Sequence, residues 1–183
     1  MKSSLLKGFI IFLIAAIFGA CKGGEIYPII PQIEYESHYL IRGSNGEVEM
    51  IGLIFNYKDG DGDIGLEDKD TLAPYNTVLD PETLMNTNYF ANNVYVDYLE
   101  KKGNNYVPVI TPFTTDTLRK EFRVMNITPE GKFKAIRGTI DVQFEPSIFP
   151  DRADTIKLKF VLIDRMLHIS NIAESGDIVL SKR

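Results

Sequence analysis

Every second residue from Ile136 to Phe144 is apolar or glycine: Ile136, Gly138, Ile140, Val142 and Phe144 alternate with Arg137, Thr139, Asp141, Gln143 and Glu145. Successive side chains of a strand point to opposite faces, so this period of two describes a strand with one face in a core and one in water. The same period runs through Ile51, Leu53, Phe55 and Tyr57, and through Ile156, Leu158, Phe160 and Leu162. Val161 and Ile163 make the end of that last strand apolar on both faces. Val94–Leu99 and Tyr106–Ile110 flank Lys101-Lys102-Gly103-Asn104-Asn105, a hairpin pattern. Ile33–Arg42, Arg119–Ile127 and Asp177–Ser181 are further strand candidates. Nothing beyond residue 21 sustains a helical period over ten residues. Seven or eight strands without helices predict an all-β, antiparallel β-sandwich. Residues 66–92, polar and rich in Asn and Thr, break the alternation and predict a long loop or small insertion.

The N-terminus has a different grammar. Phe9 to Ala20 is continuously apolar or small, Lys2 and Lys7 precede it, and Gly19-Ala20-Cys21 ends it. A basic region, an apolar region and small residues at a cut describe a secretory leader. The stretch is too short for a membrane span, which needs about 20 apolar residues. Plain secretion is the other reading. A cut before Cys21 resembles the lipobox of bacterial lipoproteins, with Phe18 standing where Leu is usual. That resemblance implies a covalent lipid on Cys21, with residues 1–20 as signal peptide, 21–32 as lipidated tether and 33–183 as the folded domain. Lys22 stands where an inner-membrane retention signal would have Asp, so the expected destination is the outer membrane, on its periplasmic side or at the cell surface.

Composition narrows the function. The 183 residues carry a net charge of −5, and the leader holds two lysines and no acid, leaving −7 after cleavage. An acidic domain without a basic stripe is not a nucleic-acid binder. It is repelled by anionic membrane surfaces, so the lipid is expected to do the anchoring. Cys21 is the only cysteine, so no disulfide braces the domain. Stability has to come from burial, and from a metal if one is held.

A metal has an obvious place to go. Asp59-Gly60-Asp61-Gly62-Asp63-Ile64-Gly65-Leu66-Glu67-Asp68-Lys69-Asp70 follows a strand. Alternating carboxylates in a glycine-rich turn can converge on one hard cation, and Ca²⁺ takes oxygen ligands. Counting from Asp59, acids fall at the third, fifth, ninth and twelfth places, a spacing similar to an EF-hand loop. Ile64 occupies the place where such loops have Gly, and a strand rather than a helix leads in, which points to a non-helical calcium loop. The expected ligands are Asp59, Asp61, Asp63, Glu67 and Asp70. The alternative is a solvated acidic turn built on Asx hydrogen bonds.

Tyr57-Lys58-Asp59-Gly60-Asp61-Gly62-Asp63-Ile64-Gly65 resembles the DGDGDIG signature of a lipoprotein family of Bacteroidetes-type bacteria. Thr128-Pro129-Glu130-Gly131-Lys132 fits the same family. Asp164-Arg165-Met166-Leu167-His168-Ile169-Ser170-Asn171 is similar to its DRALNxSN stretch, departing at Met166 and His168. The resemblance implies an immunoglobulin- or fibronectin-like sandwich on the envelope, and it supplies no activity to expect.

Other residues invite weaker readings. Arg165 is expected either to clamp an anionic ligand or to pair internally and fix a loop. His38 and His168 are the only histidines, and no nucleophile elbow, metalloprotease or phosphate-loop pattern accompanies them. Asp70-Thr71-Leu72, Asp116-Thr117-Leu118 and Asp154-Thr155-Ile156 resemble a bacterial O-glycosylation motif, with Thr71, Thr117 and Thr155 as acceptors. Tyr75, Tyr89 and Phe90 could stack on sugars. The favoured reading is a non-enzymatic binding or adhesion module, its partner a glycan or an envelope protein. The alternatives are an accessory subunit of a glycan-uptake or motility assembly, and a hydrolase using loop carboxylates.

Overall fold

The structure, a computed structural model, describes residues 26–76, 89–127, 135–146 and 154–181. The leader and Cys21 lie outside the described residues. The alternating segments become strands: β1 (Gln32–Arg42), β2 (Val48–Asp59), β3 (Val94–Lys102), β4 (Asn105–Pro108), β5 (Arg119–Phe122), β6 (Ile136–Phe144), β7 (Thr155–Leu162), β8 (Ala173–Glu174) and β9 (Ile178–Val179). One 3-10 turn, Tyr89–Ala91, is the only helical piece among them.

The strands form two antiparallel sheets. One has the order β1-β2-β6; the other has β4-β3-β7-β8, with β5 also beside β3 and β9 beside β7. The chain leaves the first sheet after β2, returns at β6 to lie beside β2, and crosses again to place β7 beside β3. Such crossings make the Greek-key of an immunoglobulin-like sandwich. Register fixes which ends meet. Asp59, closing β2, pairs with Ile136 at the start of β6. Leu162, closing β7, pairs with Val94 at the start of β3.

The core is the sum of the inward positions. Ile51, Leu53 and Phe55 of β2 are wholly buried, as are Val94 and Val96 of β3 and Leu158 and Leu162 of β7. Phe55 and Phe160 meet across the sheets at 5.1 Å between ring centroids. Each such side chain contributes about 1.5–3 kcal/mol of burial.

Three departures from the sequence reading matter near the site. The segment expected as a strand to Ile127 leaves the sheet at Phe122 and instead bonds to the acidic turn, with Leu66 N–H donating to Val124 O and Asn126 N–H to Leu66 O. Of the polar stretch 66–92, residues 67–75 are pinned to the sandwich by Arg123, which bonds the carbonyls of Glu67, Asp70 and Tyr75. The tether is docked before β1 begins: Gly60 N–H donates to Pro28 O at 2.8 Å. A Cβ at Gly60 would stand 2.3 Å from Tyr27 O, so only glycine allows this approach.

Candidate metal centre

The acidic turn is built between two buried plugs. Asp59 ends β2 in a wholly buried position, and Ile64 and Leu66 drop into the core five and seven residues later. Between them the backbone curls, closed by Asp63 N–H donating to Asp59 Oδ2 at 2.9 Å. Gly65 reverses the chain at φ +95°, and a Cβ there would stand 2.2 Å from Met125 O. Ile64, the residue that departs from the EF-hand pattern, is therefore an anchor for the turn.

A second turn meets it from the other sheet. Just past β7, Asp164 is also buried, 1% exposed. Its Oδ1 accepts from His168 N–H at 2.8 Å, and its Oδ2 lies 2.8 Å from His168 Nδ1. This tight turn holds Leu167 at φ +67°, an unfavourable place for a non-glycine residue. The two turns are sewn together: Arg165 N–H donates to Asp63 O at 3.1 Å, and Met166 N–H to Asp63 Oδ2 at 3.0 Å.

The result is a cluster of four carboxylates. Asp59, Asp61, Asp63 and Asp164 each bring an oxygen to within 4.8 Å of the others. Asp59 Oδ1, Asp61 Oδ1 and Asp63 Oδ1 are shut off from solvent and have no hydrogen-bond donor. Each pair of such charges repels by about 0.9 kcal/mol even at the dielectric of water, so six pairs amount to roughly 5 kcal/mol, and more where water is excluded. Burial pushes Asp59 up to about 7, helped by the charges of Asp61 and Asp63. Burial likewise raises Asp63 to about 6, with Asp164 and Asp61 adding to it. His168 is raised by its hydrogen bond to Asp164 and by that residue's charge.

Glu67 and Asp70, expected as metal ligands, do not join this cluster. Their oxygens are already taken. Arg165 Nη1 donates to Glu67 Oε1 at 2.6 Å, and Nη2 to Asp70 Oδ1 at 2.7 Å. Asp70 Oδ2 accepts from Glu67 N–H at 2.7 Å. Lys69 Nζ sits 2.5 Å from Glu67 Oε2. Of its two expected roles, Arg165 takes the internal pairing. Hydrogen bonds from Lys69 and Arg165 hold the Glu67 carboxyl below the usual carboxylate range.

Two residues of the site carried no functional reading in the sequence. Asp164 was visible only as the first residue of the stretch similar to DRALNxSN. Arg123 follows β5 and reaches four backbone carbonyls, those of Glu67, Asp70, Tyr75 and Ala91, at 2.6–3.2 Å. It clasps the polar stretch onto the sandwich.

The remaining candidates are scattered. Thr71 is exposed, with its hydroxyl 3.5 Å from Lys69 O. Thr117 is half-buried in a bridge to Ile110, and Thr155 opens β7 opposite Val179. His38 lies on β1, its Nδ1 2.7 Å from the Tyr35 hydroxyl, and burial lowers its pKa. Tyr75 donates its hydroxyl to Arg165 O. Phe90 is half-buried, and the side chain of Tyr89 lies outside the described residues.

The four aspartates fit a hard divalent cation. They are all oxygen ligands and they converge; Asp59, Asp61 and Asp63 each retain an unpaired oxygen that water does not reach, while both Asp164 oxygens are engaged by His168. Set against protein-family models, curated proteins and solved structures, the chain finds no match in any of the three.

Proposed function

We propose that this chain is an outer-membrane lipoprotein, anchored through acylated Cys21, whose β-sandwich is braced by one calcium ion and serves as a non-enzymatic binding or adhesion module. The observation that carries the calcium part is the set of orphaned buried oxygens on Asp59, Asp61 and Asp63. A solvated acidic turn would leave such oxygens in water. Here they face one another and Asp164, and a cation supplies counter-charge where the neighbouring side chains offer only His168, on Asp164. Asp59, Asp61, Asp63 and Asp164 would hold it. The ion links the end of β2 in one sheet to the end of β7 in the other.

The anchoring part rests on the leader, the lipobox-like Gly19-Ala20-Cys21 and the missing disulfide. The rigid sandwich then displays its loops to a glycan or protein of the envelope, as scaffolded loops commonly do.

Calcium at about 100 times its dissociation constant adds about 2.7 kcal/mol to a folded state that alone binds it. For a domain of this size that is a rise of roughly 5–10 °C in melting temperature. Chelator should remove the rise, and Asp164→Asn should lack most of it. A melting temperature indifferent to millimolar calcium, with chelator inert, would dispose of the cation.

A further inference from the structure

The acidic-turn end of the sandwich is also the end from which the chain leaves for its anchor. Tyr27 and Pro28 lie on Gly60, one residue from Asp59 and one from Asp61. Lys58 Nζ stands 5.9 Å from the centre of the Tyr27 ring, on the same approach. Five residues separate Ile26 from Cys21, a reach of at most about 18 Å. A nine-residue strand such as β3 spans about 30 Å, so the far end of the domain can stand well clear of a bilayer that the near end cannot leave.

That near end is also unusually apolar on its outside. Ile26, Ile29 and Ile30 in the tether, and Met166, Ile169 and Ile172 in the turn after β7, are each more than half exposed. The two segments flank the aspartate cluster. Met166 N–H bonds to Asp63, and Asn171, next to Ile172, exchanges hydrogen bonds with both Ile33 N–H and Ile33 O. Exposed aliphatic side chains gathered on one end, a few residues from a lipid attachment, match the requirements of an interfacial contact.

Charge opposes that contact. Carboxylates beside an anionic headgroup layer are repelled, and a divalent cation among the four cancels up to two of their charges. We infer that this end of the sandwich lies against the bilayer that holds acylated Cys21, with Ile29, Ile30, Met166 and Ile169 entering the headgroup region when a divalent cation occupies the aspartate cluster. The inference rests on the calcium and lipidation reading above, and adds an occupant and a condition. One to two fewer negative charges near an anionic surface shift the docked population by roughly 5- to 30-fold, so calcium acts as the switch between a docked and a swinging domain. Lys58, beside the tether, adds attraction to the same surface.

The full chain, expressed with its own leader and purified lipidated, allows a direct test. Acylation consumes the only native cysteine. A cysteine introduced at Met166 (Met166→Cys) or at exposed Asn104 at the far end of β3 (Asn104→Cys) can then carry one environment-sensitive fluorophore. Both proteins are placed in phosphatidylcholine–phosphatidylglycerol vesicles containing brominated lipid, and calcium binding is followed separately by melting in detergent. Calcium should quench and blue-shift the label at residue 166 several-fold more than the one at 104, and chelator should reverse it. A calcium-raised melting temperature with an unresponsive label at 166 overturns the docking and leaves the cation standing. Equal quenching in chelator, or equal quenching at 104, overturns it too. No calcium response in either measurement removes the cation and the docking together.

Discussion

A carboxylate cut off from water and from hydrogen-bond donors has to hold a proton or share a cation. Asp59 and Asp63 each have one oxygen in that position, with folded values of about 7 and about 6 against an ordinary 3.8. The consequence for stability has a definite sign. In chelator, the unfolded chain gives up these protons first as pH rises, so the metal-free protein should lose stability from about pH 4 to about pH 7, by a few kcal/mol in all. With saturating calcium the slope should reverse over the same interval, because protons then compete with the ion. Thermal melts across that range, with and without chelator, check both slopes. Asp59→Asn gives the matching comparison: it should melt higher than the native protein in chelator and lower in calcium. Melts that keep one order in both conditions would contradict the repulsion.

At the scale of elements, the acidic turn works because neighbouring segments hold it in shape. Arg123 contributes as a planar fork that spans four carbonyls, and a lysine ammonium cannot reach the same set. Arg123→Lys should cost about 2–4 kcal/mol and open residues 67–76 to proteolysis while β2 and β7 stay protected. Limited proteolysis followed by mass spectrometry reads this directly. Much of the architecture was legible because strands announce themselves locally. The period of two in β2, β6 and β7 needs only ten residues to be seen. Asp59, Asp61 and Asp63 were legible for the same reason. Asp164 was not, because its place depends on which strands share an end, and that is a property of topology. Glu67 and Asp70 stand apart from the cluster because spacing along a loop does not say where the backbone turns. Here Ile64 and Leu66 sink into the core instead, Gly65 turns the chain, and the later acids arrive beside Arg165. Arg123 offered no signal, since a single arginine after a strand looks like any surface charge.

At the scale of the whole molecule, the sandwich is held by burial, with aromatic contacts such as Phe55 on Phe160 joining the sheets and the aspartate cluster meeting across them at one end. The two halves of that site come from far apart in the chain: Asp63 and Met166, which bond directly, are separated by 103 residues. Contacts that close so long a loop form after the sheets have come together. The aspartates therefore cannot gather an ion until folding is nearly complete, and an ion gathered late stabilises the finished state without lowering the barrier to it. Calcium should slow unfolding roughly in proportion to its whole stabilising effect, near 100-fold for about 2.7 kcal/mol, and leave the refolding rate almost unchanged. Stopped-flow refolding and unfolding in calcium and in chelator separate the two limbs. In kinetic terms such an ion would be a latch on a closed door, and the lifetime of the native state would be set by the local calcium concentration.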